Sequence, residues 1–104
     1  FTYIDDAINI CISLLNIKIK KKFDIFNICS SRPIHITKVL KEIDKYSKKP
    51  LIKKKARDKA DVYKTYGDNK KIINFLKKKV NFTSNNQGVK NTCEWFYKNK
   101  KIFN

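Results

Sequence analysis

Residues 23–29 read F-D-I-F-N-I-C, a mostly apolar run of strand length closed by Ser30, Ser31, Arg32 and Pro33. A nearly continuous apolar run lying between helix-like segments fits a strand buried on both faces, as in a parallel sheet. On its N-terminal side, residues 1–4 read as a short strand. Asp5 and Asp6 then open a helix, where carboxylates suit the positive N-terminal end. Ile4, Ile8, Cys11, Ile12 and Leu15 follow i, i+4, i+7, i+8, i+11, which predicts one buried helical face. The K-I-K-K-K stretch at residues 18–22 ends that helix.

On the C-terminal side, Ile36, Val39, Leu40 and Ile43 predict a second amphipathic helix after Pro33, finishing near the lysines before Pro50. Leu51 and Ile52 start a third, short strand. It runs into residues 55–68, K-A-R-D-K-A-D-V-Y-K-T-Y-G-D, which read as a connecting loop. Ile72, Ile73 and Leu76 mark a short helix capped by Asp68 or Asn69. Ser84 and Gln87 form an S-x-x-Q capping box for a last helix. Its inner face is Val89, Thr92, Cys93 and Phe96, with Trp95 and Tyr97 at the margins and a basic tail over residues 98–104. The alternation predicts an α/β fold, with short, mostly parallel strands alternating with helices and two helices at the C-terminus.

A chain of 104 residues is one domain or part of one. Folded alone it would bury roughly 60–65% of its unfolded surface. A hydrophobic content of 41% fits a globular chain. No apolar run approaches the roughly 20 residues needed to cross a bilayer, and the start F-T-Y-I-D-D lacks the basic segment of a signal peptide. The expectation is therefore no membrane partner and a cytoplasmic chain. The sequence opens without Met on an apolar-aromatic segment already under way, which suggests a fragment.

The formal net charge of +16 invites a nucleic-acid reading. Two observations weigh against it. Arg32 and Arg57 are the only arginines among 25 basic residues, whereas phosphate and base recognition favours the planar guanidinium fork. The lysines also fall on every predicted element, beside abundant Ile and Asn, the mix that AT-rich coding produces. No specific nucleic-acid partner is expected, and binding to a polyanion should be salt-sensitive and non-specific. A small lysine-rich module for nucleic acid or acidic surfaces is the alternative reading.

Cys11, Cys29 and Cys93 are odd in number and widely spaced, without C-x-x-C. They fit buried thiols in a reducing compartment rather than a disulfide scaffold or zinc site. His35 is the only histidine, so no metal is expected. No G-x-G-x-x-G, P-loop, H-E-x-x-H or G-x-S-x-G occurs, and Gly67 and Gly88 are the only glycines. Paired carboxylates come only from Asp5/Asp6, a helix start, or from Asp58, Asp61 and Asp68 in the loop. Asp68 reads as a cap. Asp61 has no such structural role, and an ionised carboxylate is an acceptor suited to vicinal hydroxyls such as those of a ribose.

Four short stretches, in order, resemble the C-terminal part of an extended short-chain dehydrogenase/reductase of the nucleotide-sugar epimerase/dehydratase kind. F-T-Y-I-D-D-A-I (1–8) resembles the family's segment entering the substrate domain. F-N-I-C-S-S-R-P-I (26–34) resembles its strand and turn N-I-G-x-x-x-P. D-K-A-D-V-Y-K-T-Y-G-D (58–68) resembles its nucleotide-contacting loop, and Q-G-V-K-N-T-C-E-W-F-Y (87–97) its closing helix. The T-Y-G-D and W-F-Y details lean toward the UDP-glucuronate 4-epimerase branch.

The resemblance implies the substrate-binding portion of a Rossmann-type enzyme over residues 1–104. NAD would be held by an N-terminal domain outside the chain, with no metal, and the parent enzyme would be a homodimer. A Tyr and a Lys in Y-x-x-x-K, also outside this chain, would oxidise the sugar transiently at C4 and return hydride to the other face. The chain alone would be inactive. The substrate-binding residues implied are Asp61 at the ribose, Arg57 as a phosphate partner and Phe1 packing beside the diphosphate. Three departures stand out. Asp58 occupies the place of the family's Arg or Gln three residues before the loop aspartate, with Arg57 one position off. Cys29 replaces the turn glycine, and residues 77–79 replace a small turn before the last helix.

Overall fold

The computed structural model describes residues 1–18, 23–47 and 51–103. Most of the lysine stretch expected to end the first helix, and the lysines before Pro50, lie outside the described residues. In order come α1 (Ile4–Leu15), α2 (Ile36–Tyr46), α3 (Lys70–Leu76) and α4 (Asn85–Lys98), then a 3-10 turn at Lys100–Phe103. The described residues contain no strand. The expected α/β fold is thus corrected to an all-helical one. Residues 1–3 lead into α1, and neither residues 23–29 nor Leu51 and Ile52 enter a ladder.

The chain divides into two compact units, Phe1–Pro33 with Tyr66–Thr83, and Ile34–Thr65 with Ser84–Asn104. In the first, Ile10, Ile72 and Leu76 are buried, and Leu14, Ile17, Phe26, Ile28, Ile73, Val80 and Phe82 pack against them. The helical period of α1 is the expected one, but the buried face is the other one. Ile10, Leu14 and Ile17 turn inward, whereas Ile4, Ile8, Cys11, Ile12 and Leu15 are exposed. Apart from Asp5, Asp6, Asn9 and Ser13, α1 is apolar throughout, so two i, i+4 stripes were available and tertiary contacts selected one.

Backbone polar groups must be paired wherever they leave water. In the apolar run two carbonyls, those of Ile25 and Cys29, are met by side chains rather than by a neighbouring strand. Lys71 pairs with the Asp24 carboxylate and donates to the Ile25 carbonyl (2.7 Å). Asn69 donates from Nδ2 to the Cys29 carbonyl (2.8 Å). The Ser30 amide donates to Thr2 Oγ1 (3.1 Å), and Ser30 Oγ to the Phe1 carbonyl (2.9 Å). Phe26 lies tilted against Phe75, ring centres 4.9 Å apart, and Ile28 packs on the core. Phe26 and Ile28 turn to the core while Phe23 and Ile25 are exposed, so the run lies as an irregular cover and not as a sheet strand.

Ser31 holds a left-handed backbone (φ 52°), unusual for a side-chain-bearing residue. Its hydroxyl offsets the strain by donating to the Gly67 carbonyl (2.8 Å) and accepting from the Asn69 amide (3.0 Å). Asp68 accepts from the Lys70 amide (2.8 Å), so it caps α3 from just outside the helix, as read from sequence. Lys77 closes α3 at φ 50°, ψ 26°, a position glycine usually fills. Asp6 does more than open α1: its carboxylate accepts from both the amide and the hydroxyl of Thr83, each at 2.8 Å.

In the second unit α2 packs on α4, with Val39 and Gly88 buried and Leu40, Ile43 and Val89 half-buried. The sole histidine of the chain caps α2, His35 Nδ1 accepting from the Thr37 amide (3.3 Å). Ser84 caps α4 by accepting from the Gln87 amide (3.3 Å). The reciprocal half of the capping box is missing, because Gln87 Nε2 turns to Asn91 (2.7 Å). On α4 Val89 and Cys93 are half-buried as expected, while Thr92 and Phe96 are exposed. Burial raises the Cys93 thiol above its ordinary pKa. Cys11 corrects the expectation of buried thiols, since it is exposed. No helix among the described residues is long and apolar enough to cross a membrane.

Candidate functional site

The loop before α3 gives its polar residues distinct duties. Asp58 starts a tight turn: its carbonyl accepts from the Asp61 amide (3.1 Å) and its Oδ1 from the Ala60 amide (2.9 Å). An aspartate bonding its own backbone two residues on is a common device for fixing turns. Asp58, the mismatch in the resemblance, is therefore the residue that shapes the loop.

Across this turn Arg57 folds back. Its Nη1 donates to the Asp61 carbonyl (2.7 Å), and its guanidinium carbon lies 3.8 Å from the centre of the Tyr63 ring. At an exposed site such a cation–π contact contributes about 0.5–1 kcal/mol. Its larger consequence is to fix the direction of a planar cation with donors still to spare. The Asp61 carboxylate carries no hydrogen bond among the described residues, and the side chain is exposed. One turn thus presents an available carboxylate beside an oriented guanidinium. The first can accept from hydroxyls and the second can donate to phosphate oxygens.

Of the three residues singled out from sequence, the structure brings Arg57 and Asp61 together. Phe1 belongs to the other unit, where its carbonyl accepts from Ser30 and its ring is exposed. Tyr63, which holds the Arg57 guanidinium, is not among the residues the sequence singles out. Its signal was an aromatic side chain six positions after the loop arginine, on the far side of a turn marked by Asp58. Among the described residues no group of three or more His, Cys, Asp or Glu side chains could hold a metal ion.

The comparisons with known proteins are sparse. No family model matches the chain, and no solved structure matches it. A protein of Methanocaldococcus jannaschii named "Uncharacterized protein MJ1055" is 37% identical over 103 residues, covering 96% of this chain and 30% of that protein. The chain spans less than a third of the length of that relative.

Proposed function

We propose that the chain is the C-terminal nucleotide-sugar-binding portion of a cytoplasmic, NAD-dependent nucleotide-sugar 4-epimerase, an isomerase acting on a UDP-sugar. The observation that carries this reading is the exposed turn in which Arg57 and Asp61 meet, within a stretch that resembles the family's nucleotide-contacting loop. In this role Asp61 accepts from a ribose hydroxyl and Arg57 donates to the diphosphate. A match over most of this chain to under a third of a longer protein is compatible with a portion of a larger enzyme.

NAD does not fit this chain. Gly67 abuts Cys29 and Gly88 lies inside α4, leaving no glycine-rich turn to admit a pyrophosphate. The cofactor, the Y-x-x-x-K pair and the transient oxidation at C4 belong to a part of the enzyme outside these residues. The parent enzyme is proposed as a homodimer, and this chain alone is inactive.

Calorimetric titration with UDP-glucuronate tests the reading. Binding in the millimolar range is expected, with at least a tenfold loss in Asp61→Ala and in Arg57→Ala, and with no change in thermal stability in Asp61→Ala. The rival lysine-rich module predicts the opposite pattern. Duplex DNA would bind tightly at physiological salt, and Asp61→Ala would change nothing. Weak DNA binding that disappears as salt rises is the signature of charge alone.

A further inference from the structure

The outer face of α1 is a continuous apolar stripe that the core of the first unit does not use. Ile4 is 62% exposed, Ile8 47%, Ile12 51% and Leu15 85%, and Cys11 shares the stripe. It is built with the same spacing as the buried stripe opposite. Residues 1–17 contain no lysine or arginine, although the whole chain carries 25 basic residues. A solvated surface in this protein is lysine-rich; this face is kept free of lysine. Contiguous exposed apolar patches of this kind mark contact surfaces.

We infer that the outer face of α1 is an interface covered by the body of the larger enzyme, the part corresponding to the 70% of the M. jannaschii protein that lies outside the match. This inference rests on the reading of the chain as part of a larger enzyme. Three features favour this occupant. The relative carries more than twice this chain's length of additional polypeptide, which must pack somewhere. The buried hydrophobics among the described residues, Ile10, Val39, Ile72 and Leu76, make cores small enough to gain from an added surface. The stripe ends at Lys18, where the basic surface resumes, so its extent matches one helix laid against an apolar partner.

Cys11 reports on the face directly. The full 104-residue chain and a chimera in which it replaces the matched segment of the M. jannaschii protein are treated with iodoacetamide, and Cys11 labelling is followed by peptide mass spectrometry. In the isolated chain the exposed Cys11 labels fastest, ahead of the half-buried Cys29 and Cys93. In the chimera its labelling slows at least tenfold, and Ile8→Asp with Ile12→Asp restores the fast rate.

A chimera that labels Cys11 as fast as the isolated chain overturns the inference, whether or not the join folds. Protection in the isolated chain that grows with protein concentration overturns it in favour of a second copy. Protection by vesicles of anionic phospholipid, without protection in the chimera, overturns it in favour of a membrane surface. UDP-glucuronate binding is measured separately on the chimera. Protected Cys11 without nucleotide-sugar binding keeps the interface and rejects the nucleotide-sugar reading.

Discussion

Ile72→Ala is expected to destabilise the first unit by about 2–5 kcal/mol, the cost of emptying a fully buried aliphatic site. Ile72 has no exposed surface, and it meets Ile10 and Leu76 at the centre of that unit. Domains have only about 5–15 kcal/mol of total stability, and a small core lies at the low end of that range. The loss should leave the unit partly unfolded at 25 °C, visible as hydrogen exchange in α1 and α3 amides at rates near those of an open chain. Ile10→Ala should behave alike. Ile12→Ala, only two residues away but on the outward face, should stay within about 0.5 kcal/mol of the parent. Equal effects at residues 10 and 12 would place both stripes of α1 in the core and contradict the packing described.

Gly67→Ala is expected to cost about 1–3 kcal/mol through overpacking. A methyl group at residue 67 would lie 2.7 Å from Cys29 Sγ and 3.3 Å from its Cβ. The thiol has little room to yield, because Cys29 is tied through its carbonyl to Asn69 and its sulfur lies 3.6 Å from Ser31 Oγ. Cys29→Ala should recover most of the loss in the Gly67→Ala background, since only the 3.3 Å contact then remains. The double-mutant cycle, read from urea unfolding midpoints, should give a coupling of about 1 kcal/mol or more. Additive effects would mean that the two residues do not compete for space.

Where the sequence carried positional signals, the elements were legible. Ser84 before N-N-Q marked the start of α4, and Ile72 with Leu76 marked the inward side of α3. Asp68 could be recognised as a cap because a short polar side chain just before an apolar period has few other uses. Residues 23–29 misled because a short apolar run carries no periodicity to separate a strand from an irregular cover. Their partners, Lys71 and Asn69, are polar side chains far away in sequence, and nothing local announces them. The face of α1 misled for a related reason: both of its stripes are apolar, so only contacts elsewhere in the chain distinguish them.

The candidate site was legible in its parts but not in its arrangement. Asp61 stood out as the loop carboxylate with no structural task, and the described residues give it none. Arg57 stands four residues before Asp61, and the turn begun by Asp58 brings its guanidinium back to the Asp61 carbonyl. That meeting follows from hydrogen bonds within the loop, which residue spacing does not encode. The tie between Asp6 and Thr83 was equally invisible, since 77 residues separate them.

The central claim, that residues 57–63 form the chain's share of a nucleotide-sugar site, is tested most directly by amide chemical-shift mapping of the 15N-labelled protein during titration with UDP-glucuronate. The account predicts saturable shifts concentrated at Arg57, Asp58, Asp61 and Tyr63, absent in Asp61→Ala. Shifts spread over the lysine amides of every helix, unchanged by Asp61→Ala and abolished by salt, would contradict it.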